Sequence, residues 1–320
     1  MDPPPHVFPA SDSPIGNIAS LEDKVALITG ASSGLGRAMA LAYAAAGAYV
    51  VSADLKPTPP VAPTIAGRLK DTDLTTPTVD LVNTKWPAPS KDRASFVQCD
   101  VTNEESVKAA VAFAVQRYGR LDIMVNNAGI SAETGSKEYS GAFPRIHETP
   151  VAALDLTYQV NIKGVWLGTK YAVTQMLAQE PHPRHSRPAG ALGTTTSDVH
   201  RGWIINISSI MGSIAMPGTS PYCASKSAVL GLTRAVGLEY AKDGIHINAI
   251  QPGFADTALL ENMYSKNDRD SMDATMKMLH PWGRTGRAED IARAAVFLAG
   301  EGASWMTGQS IVVDGGYLAQ

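Results

Sequence analysis

Hydrophobic positions fall into two alternating patterns along the chain. Short, largely apolar runs, at 25–28 (V-A-L-I), 49–53 (Y-V-V-S-A), 121–125 (L-D-I-M-V) and 245–250 (I-H-I-N-A-I), have the length of strands buried on both faces. Between them lie longer stretches with apolar residues on a helical repeat. One is an Ala-rich segment that stops at Gly47; others cover 102–119, 150–177, about 221–242 and 288–299. T-N-E-E at 102–105 suits an N-capped helix start. Strands alternating with helices predict an α/β fold, one doubly wound, Rossmann-like parallel sheet in a single domain over residues 21–320.

Five stretches break this rhythm. Residues 1–20, rich in Pro, Ser and Asp, are expected to be a disordered tail. Pro/Thr-rich residues 57–93 read as a surface insertion with room for one short helix, and residues 131–150 as loop. A second insertion at 181–201 carries His182, His185 and His200 without the regular spacing of a metal site, so a loop and no metal is expected. Residues 255–280, with four methionines between Met263 and Met278, follow a strand and form the candidate substrate lid.

Composition narrows the function classes. Hydrophobic residues make up 44% and charged ones 18% of the 320, which is enough apolar material for a real core. The net charge of −3 comes without a basic or acidic block, so neither nucleic acid nor an anionic membrane is an expected partner. No apolar run is long enough for a bilayer, M-D-P-P-P-H lacks the regions of a secretion signal, and G-Y-L-A-Q is no lipidation or peroxisomal signal; a cytoplasmic protein is expected. Two cysteines, Cys99 and Cys223, are too few for a disulfide framework. Cys223 reads as a small buried residue, and N-I-S at Asn206 as a chance glycosylation match.

The first candidate chemistry is the glycine-rich turn after the first strand, Gly30 through Ser32, Ser33, Gly34 and Leu35 to Gly36. A strand, a flexible turn and a helix N-terminus together make a phosphate cradle. The second strand ends in Asp54, 20 residues after Gly34, about where an acid meets an adenosine ribose. A 2′-phosphate there meets like-charge repulsion of about 1 to 4 kcal/mol near 4 Å, so NAD(H) is favoured over NADP(H) by roughly ten- to a thousandfold. Arg37 and Lys56 are near enough in sequence to soften that preference. Asp100 and Val101, the N-N-A-G run with Asn127, Ala128 and Gly129, and Pro252-Gly253 follow later strands and face the same crevice in such a fold.

The second candidate is Tyr222, four residues before Lys226 and thirteen after Ser209. On a helix, positions i and i+4 share a face. A phenol ionises near pH 10, and bringing it to about 7 asks roughly 4 kcal/mol, within reach of Lys226 and a second cation. The Ser209 hydroxyl can donate to an oxygen on which charge develops. A lone Y-x-x-x-K is common in helices; the surrounding motifs give it weight.

Taken in order, T-G-A-S-S-G-L-G, Asp54, D-V at 100–101, N-N-A-G, Asn161, I-N-I-S-S, Y-C-A-S-K and P-G-F-A-D-T resemble the short-chain dehydrogenase/reductase family in its compact NAD(P)-binding form, over about residues 21–320 apart from the two insertions and the loop after Gly129. The resemblance implies an oxidoreductase that moves a hydride between a nicotinamide cofactor and a secondary alcohol or ketone. It implies Tyr222 as general acid/base, Lys226 as the cation that lowers its pKa and bonds the nicotinamide ribose, and oxidised nicotinamide as the second cation. Ser209, rather than Ser208, matches the substrate-oxygen donor; Asn161 resembles a residue that opens a helix turn for a proton relay, and Thr257 a contact to the cofactor. It also implies a homodimer or homotetramer packed through helices near 103–118 and 150–177. Alternatives are an NADP-dependent ketone reductase of secondary metabolism and a nucleotide-binding regulator without turnover.

Overall fold

Seven apolar runs become strands of one sheet, all parallel, in the order β3-β2-β1-β4-β5-β6-β7. The computed structural model describes residues 18–59, 73–133, 144–183, 199–261 and 269–320. The strands are β1 (Val25–Thr29), β2 (Tyr49–Asp54), β3 (Ala94–Gln98), β4 (Ile123–Asn126), β5 (Gly202–Ile207), β6 (Ile245–Pro252) and β7 (Ser310–Val313). β1, β4, β5 and β6 are buried along their whole length, whereas edge strand β7 alternates exposed and half-buried positions. A strand covered on both faces needs continuous apolar sequence; an edge strand does not.

Helices cover both faces. α1 (Gly34–Ala45) packs with α9 (Ala288–Ala299) on one side, where small residues Ala40, Ala44, Ala292 and Ala295 let the helices approach around Met39, Tyr43 and Leu298. The Tyr43 hydroxyl, fully buried, donates to the Ala295 carbonyl at 3.0 Å, which satisfies its one polar atom. The other face carries α3 (Glu104–Tyr118) and α5 (Gly164–Ala178), with Val107, Val111, Leu167 and Met176 against the sheet. α3 is capped by the Asn103 side chain, which accepts from the Ser106 N–H, and stops at Gly119 with φ 90°.

Two helices differ from the sequence expectation. The stretch 150–177 is not one α-helix: α4 (Val151–Tyr158) runs through a π-turn, Gln159–Lys163, into α5. The helix carrying Tyr222 and Lys226, α6 (Ser220–Glu239), ends before Lys242 and tightens into a 3₁₀ turn at Ala241–Asp243, closed by Gly244. Beyond β6 lie α7 (Ala258–Glu261) and α8 (Arg269–Met278).

Of the stretch 57–93, residues 60–72 lie outside the described residues; the rest holds α2 (Thr78–Lys85), which buries Thr78 and Val82 against α1. The expected tail (1–17), His185 within 184–198, part of the loop (134–143) and part of the lid (262–268) also lie outside them. His182 and His200 lie outside helix and strand, and both are buried, with the His182 N–H donating to the His200 carbonyl at 3.1 Å and the His200 ring bonded to His246 at 2.8 Å. Among the described residues no cluster of His, Cys, Asp or Glu is arranged to hold a metal ion, and no helix is long and apolar enough to cross a membrane.

Candidate active site

In an open parallel sheet, ligands bind beyond the strand C-termini where the order reverses, here between β1 and β4. A cleft of about 470 Å³ opens there and runs past β5 and β6. Gly30, Ser33, Gly34 and Leu35 form one end of its floor. Gly34 holds φ 53°, which admits few other residues, and a Cβ on Gly36 would lie 2.2 Å from the Gly30 carbonyl oxygen. Ser33, at the N-cap of α1, makes no side-chain cap bond, and the first turn carries no acid. The free N–H groups of this helix therefore open into the cleft without a competing anion, which fits a dinucleotide's diphosphate.

Asp54 lines the cleft next to Leu55, and its carboxylate accepts the Ser32 N–H at 2.9 Å and the Leu55 N–H at 2.7 Å. Ser32 itself is buried beneath the turn, its hydroxyl donating to the Lys56 carbonyl at 2.6 Å. Arg37 does not face this end. It is buried, and its guanidinium donates to the Thr76 and Asp73 carbonyls, each at 2.6 Å, so the described part of the insertion takes the charge that was expected to soften the cofactor preference. Cys99, Asp100 and Val101 close the opposite wall.

Asn127, Ala128 and Gly129 line the middle of the cleft. Their loop is bracketed to β1: the Asn127 and Ala128 N–H groups both donate to the Thr29 hydroxyl at 3.0 Å, and the Asn127 amide donates to the Thr29 carbonyl at 2.8 Å. A Cβ on Gly129 would sit 3.3 Å from the Lys226 ammonium. Pro252, Gly253 and Thr257 face them from the end of β6, with the Thr257 methyl over Gly34.

Ser209, Tyr222 and Lys226 come together at the other end. The two serines after β5 divide: the Ser208 hydroxyl donates to the Lys226 backbone carbonyl at 2.8 Å, while the Ser209 hydroxyl accepts the Met211 N–H at 3.1 Å and acts on the Tyr222 phenol to lower its pKa. Lys226 donates from Nζ to the Ile207 carbonyl at 2.9 Å and lies 5.5 Å from the centre of the Tyr222 ring. Asn161 does not line the cleft. It is fully buried in the π-turn, accepts from the Ile130 N–H at 2.9 Å, and donates to the Ile130 carbonyl at 2.8 Å and the Ser225 hydroxyl at 3.0 Å. Ser225 in turn donates to the Tyr222 carbonyl at 2.8 Å, so the turn is tied to the first turns of α6.

The electrostatics differ from the sequence expectation. Burial pushes the Tyr222 phenol up to about 12, Glu133 and Cys223 push in the same direction, and only the Ser209 hydrogen bond opposes them. Burial pulls Lys226 down to about 8. In the chain by itself, without the second cation that the expectation includes, desolvation dominates and the phenol holds its proton at neutral pH.

An apolar wall closes this end: Ile210, Met211, Phe254, Leu260 and Met276 form a small core of their own, on which Tyr222 and the half-buried Cys223 pack. The sequence reading did not single out Ile130, Ser131, Met211, Met216 or Phe254, all of which line the cleft, nor the bracket Thr29. Lone residues in loops carry no periodic signal; Phe254, inside P-G-F-A-D-T, and Thr29, inside T-G-A-S-S-G-L-G, were marked only by their neighbours.

A family model described as enoyl-(acyl carrier protein) reductase matches residues 72–318, and one described as short chain dehydrogenase matches residues 24–82. The chain is 35% identical to 2-(R)-hydroxypropyl-CoM dehydrogenase of Xanthobacter autotrophicus, over 92% of this chain and 99% of that protein. It is 34% identical to cis-4-hydroxycyclohexanecarboxylate dehydrogenase of Sinomonas cyclohexanicum, over 93% of this chain and 97% of that one. Among solved structures, a chain from Agrobacterium tumefaciens with bound NADP is 30% identical and superimposes with a TM-score of 0.71, over 95% of this chain and 100% of that chain. With strand order, cleft and sequence in agreement, the chain belongs to the short-chain dehydrogenase/reductase family of NAD(P)-dependent oxidoreductases.

Proposed function

We propose that this protein interconverts a secondary alcohol and its ketone with NAD(H), using Tyr222 as general acid/base. The observation that carries this reading is the meeting of Ser209, Tyr222 and Lys226 at one end of a cleft whose other end is a helix N-terminus beside Asp54. The bound nicotinamide would supply or accept the hydride and, when oxidised, bring a positive charge. Ser209 donates to the substrate oxygen, and Tyr222 passes it a proton in reduction or takes one in oxidation. Lys226 orients the ribose and counters the phenolate. Asn161, in its π-turn, holds the first turns of α6 in register through Ser225. From about 12, making the phenol a base near pH 7 asks roughly 7 kcal/mol of its surroundings, so oxidation is expected to quicken above neutral pH and reduction to slow.

The apolar wall of Met211, Phe254 and Leu260 suits a carbinol on an apolar chain or ring, and two relatives are named for hydroxypropyl and hydroxycyclohexane substrates. Residues 255–280 serve as the lid. Exposed Val151, Leu154, Tyr158 and Trp166 along α4 and α5 support a homo-oligomer. A cytoplasmic setting fits the scarcity of cysteine. A second reading, NADP(H), is favoured by the neighbour solved with NADP.

The test is cofactor-dependent absorbance change over secondary alcohols and ketones, cyclohexanol and cyclohexanone included, with NAD(H) and NADP(H). Turnover by wild type that persists in Tyr222→Phe would overturn the mechanism, and tighter binding of NADPH than of NADH would overturn the cofactor choice.

A further inference from the structure

Glu133 lies in the loop after β4, fully buried, and the proposed chemistry makes no use of it. Its Oε1 accepts the Tyr222 backbone N–H at 3.1 Å, a contact that joins residues 89 apart in the chain. The Ser131 hydroxyl and its own N–H also bond the carboxylate. Its Oε2 is buried and has no hydrogen-bond partner among the described residues. A carboxylate oxygen buried without a partner is costly to folding, and such groups persist mainly where they serve a site.

The first turn of α6 shows what it serves. Tyr222 is the third residue of the helix, so its N–H has no intrahelical acceptor. The N-cap Thr219 makes no side-chain cap bond, and no acid stands in the first turn. Thr219 instead donates to the Met216 carbonyl and meets Cys223 Sγ. The helix that carries both Tyr222 and Lys226 therefore has no local cap at this position; the acceptor comes from a loop on the other side of the cleft.

We propose that Glu133 is a positioning residue of the active site: it caps the catalytic helix at Tyr222 from across the cleft and holds a negative charge against the phenol. This rests on Tyr222 being the proton-transfer residue. Among the described residues, the groups facing Tyr222 are few. Lys226 and Cys223 share its helix, Ser209 comes from the end of β5, and Glu133 from the end of β4. The wall from beyond β6 adds Tyr317 and the buried His280 ring, which packs on Phe254 and Tyr317, to its apolar residues. Glu133 is the only carboxylate in this set. Burial raises its own pKa, and the three hydrogen bonds it accepts oppose that shift. An anion here holds the proton on Tyr222 until a cation enters the cleft, and it ties that proton to the same loop that carries Asn127 to Gly129.

The test separates charge from shape and needs no substrate. Phenolate absorbance is followed in rapid pH jumps, and subtracting the Tyr222→Phe protein from wild type isolates the titration of Tyr222. The same subtraction in an E133Q background is expected to move to lower pH, because glutamine keeps the acceptor and removes the charge. Hydrogen exchange at the Tyr222 amide is expected to stay near wild type in E133Q and to speed up about three- to tenfold in E133A. An unmoved titration in E133Q overturns the proposal, as does unchanged exchange in a folded E133A. If E133A does not fold, the E133Q titration decides alone. Neither readout depends on turnover, so an inactive substrate panel would count against the proposed reaction and not against Glu133.

Discussion

The two ends of the sheet bury similar chemistry and put it to different use. At the N-terminal edge, Lys24, Asp122 and Trp203 are fully buried and His200 and His246 nearly so. Lys24 spends its ammonium on the Ala299 carbonyl at 2.7 Å and on the face of Trp203 at 3.3 Å. Asp122 takes the Val25 N–H and the Arg120 guanidinium, and the two imidazoles bond each other. At the C-terminal edge Lys226 and Tyr222 are as buried or half-buried, but they border a cleft, and the buried Glu133 bonds the Tyr222 N–H behind it. One carboxylate oxygen there has no partner, and the N-terminus of α1 has no cap. Shifted ionisation is common to both ends: Lys24 is pulled down to about 7 and Lys226 to about 8. What distinguishes a site is capacity held open toward a cavity, not the shift itself.

The largest expected effect would break that comparison if it failed. Tyr222→Phe should lower kcat by about a hundred- to ten-thousandfold with NADH affinity little changed, read by turnover and by cofactor fluorescence. Lys24→Met, at the other end, should leave kcat within about twofold. Next comes Asp54→Asn, which removes the charge beside the ribose. The ratio of NADH to NADPH dissociation constants should move toward NADPH by roughly ten- to a thousandfold, measured by titration. A ratio that did not move would mean the cradle discriminates by shape and not by charge.

The third prediction concerns stability and belongs to the closed end. Lys24 ionises near 7 when folded and near 10.5 when unfolded, so between those values the unfolded chain binds the extra proton and stability rises with pH. Between pH 7 and 9 the gain is about 2 kcal/mol, read as a midpoint shift in urea unfolding. In Lys24→Met that slope should vanish. Burial raises the Asp122 carboxyl as well, so the difference between wild type and Lys24→Met is the quantity to read.

How much of this was legible follows from the distance over which each feature is encoded. The cradle, the loop at Asn127 to Gly129 and the Tyr222–Lys226 pair are local: a turn, a strand end, one helical repeat. Sequence order alone places them on one edge of a parallel sheet. Glu133 was invisible because its partner lies 89 residues away and a glutamate in a loop reads as solvated. Lys24, ahead of V-A-L-I, reads as the polar flank of a strand; its burial is made by Trp203 and Ala299, far along the chain. The π-turn at Asn161 is absent from the hydrophobic pattern, because its residues suit an α-helix equally well; only the family resemblance pointed to an opened turn, and the contacts to Ile130 and Ser225 show how it is held. Arg37 misled because proximity to Gly36 says nothing about where a long side chain ends.

The smallest expected effect sharpens the comparison within the site itself. Ser208 and Ser209 are neighbours, and both are buried at the edge of the cleft. The Ser208 hydroxyl is committed to the Lys226 carbonyl, where it pins α6 to the end of β5; the Ser209 oxygen accepts the Met211 N–H and its hydroxyl lowers the pKa of the phenol. Ser208→Ala removes one buried hydrogen bond, worth about 1 kcal/mol, and leaves every reacting group in place. Its kcat should fall by no more than about fivefold, with a slightly lower unfolding midpoint and an unchanged pH profile. Ser209→Ala removes the one contact that pulls the phenol's pKa down, together with the donor to the substrate oxygen. Its kcat should fall by about a hundredfold, and the alkaline limb of its pH profile should move up. Equal losses in the two variants would mean that the pair acts by packing alone, and that hydroxyls open to the cleft are no better guide to chemistry than those already spent inside the fold.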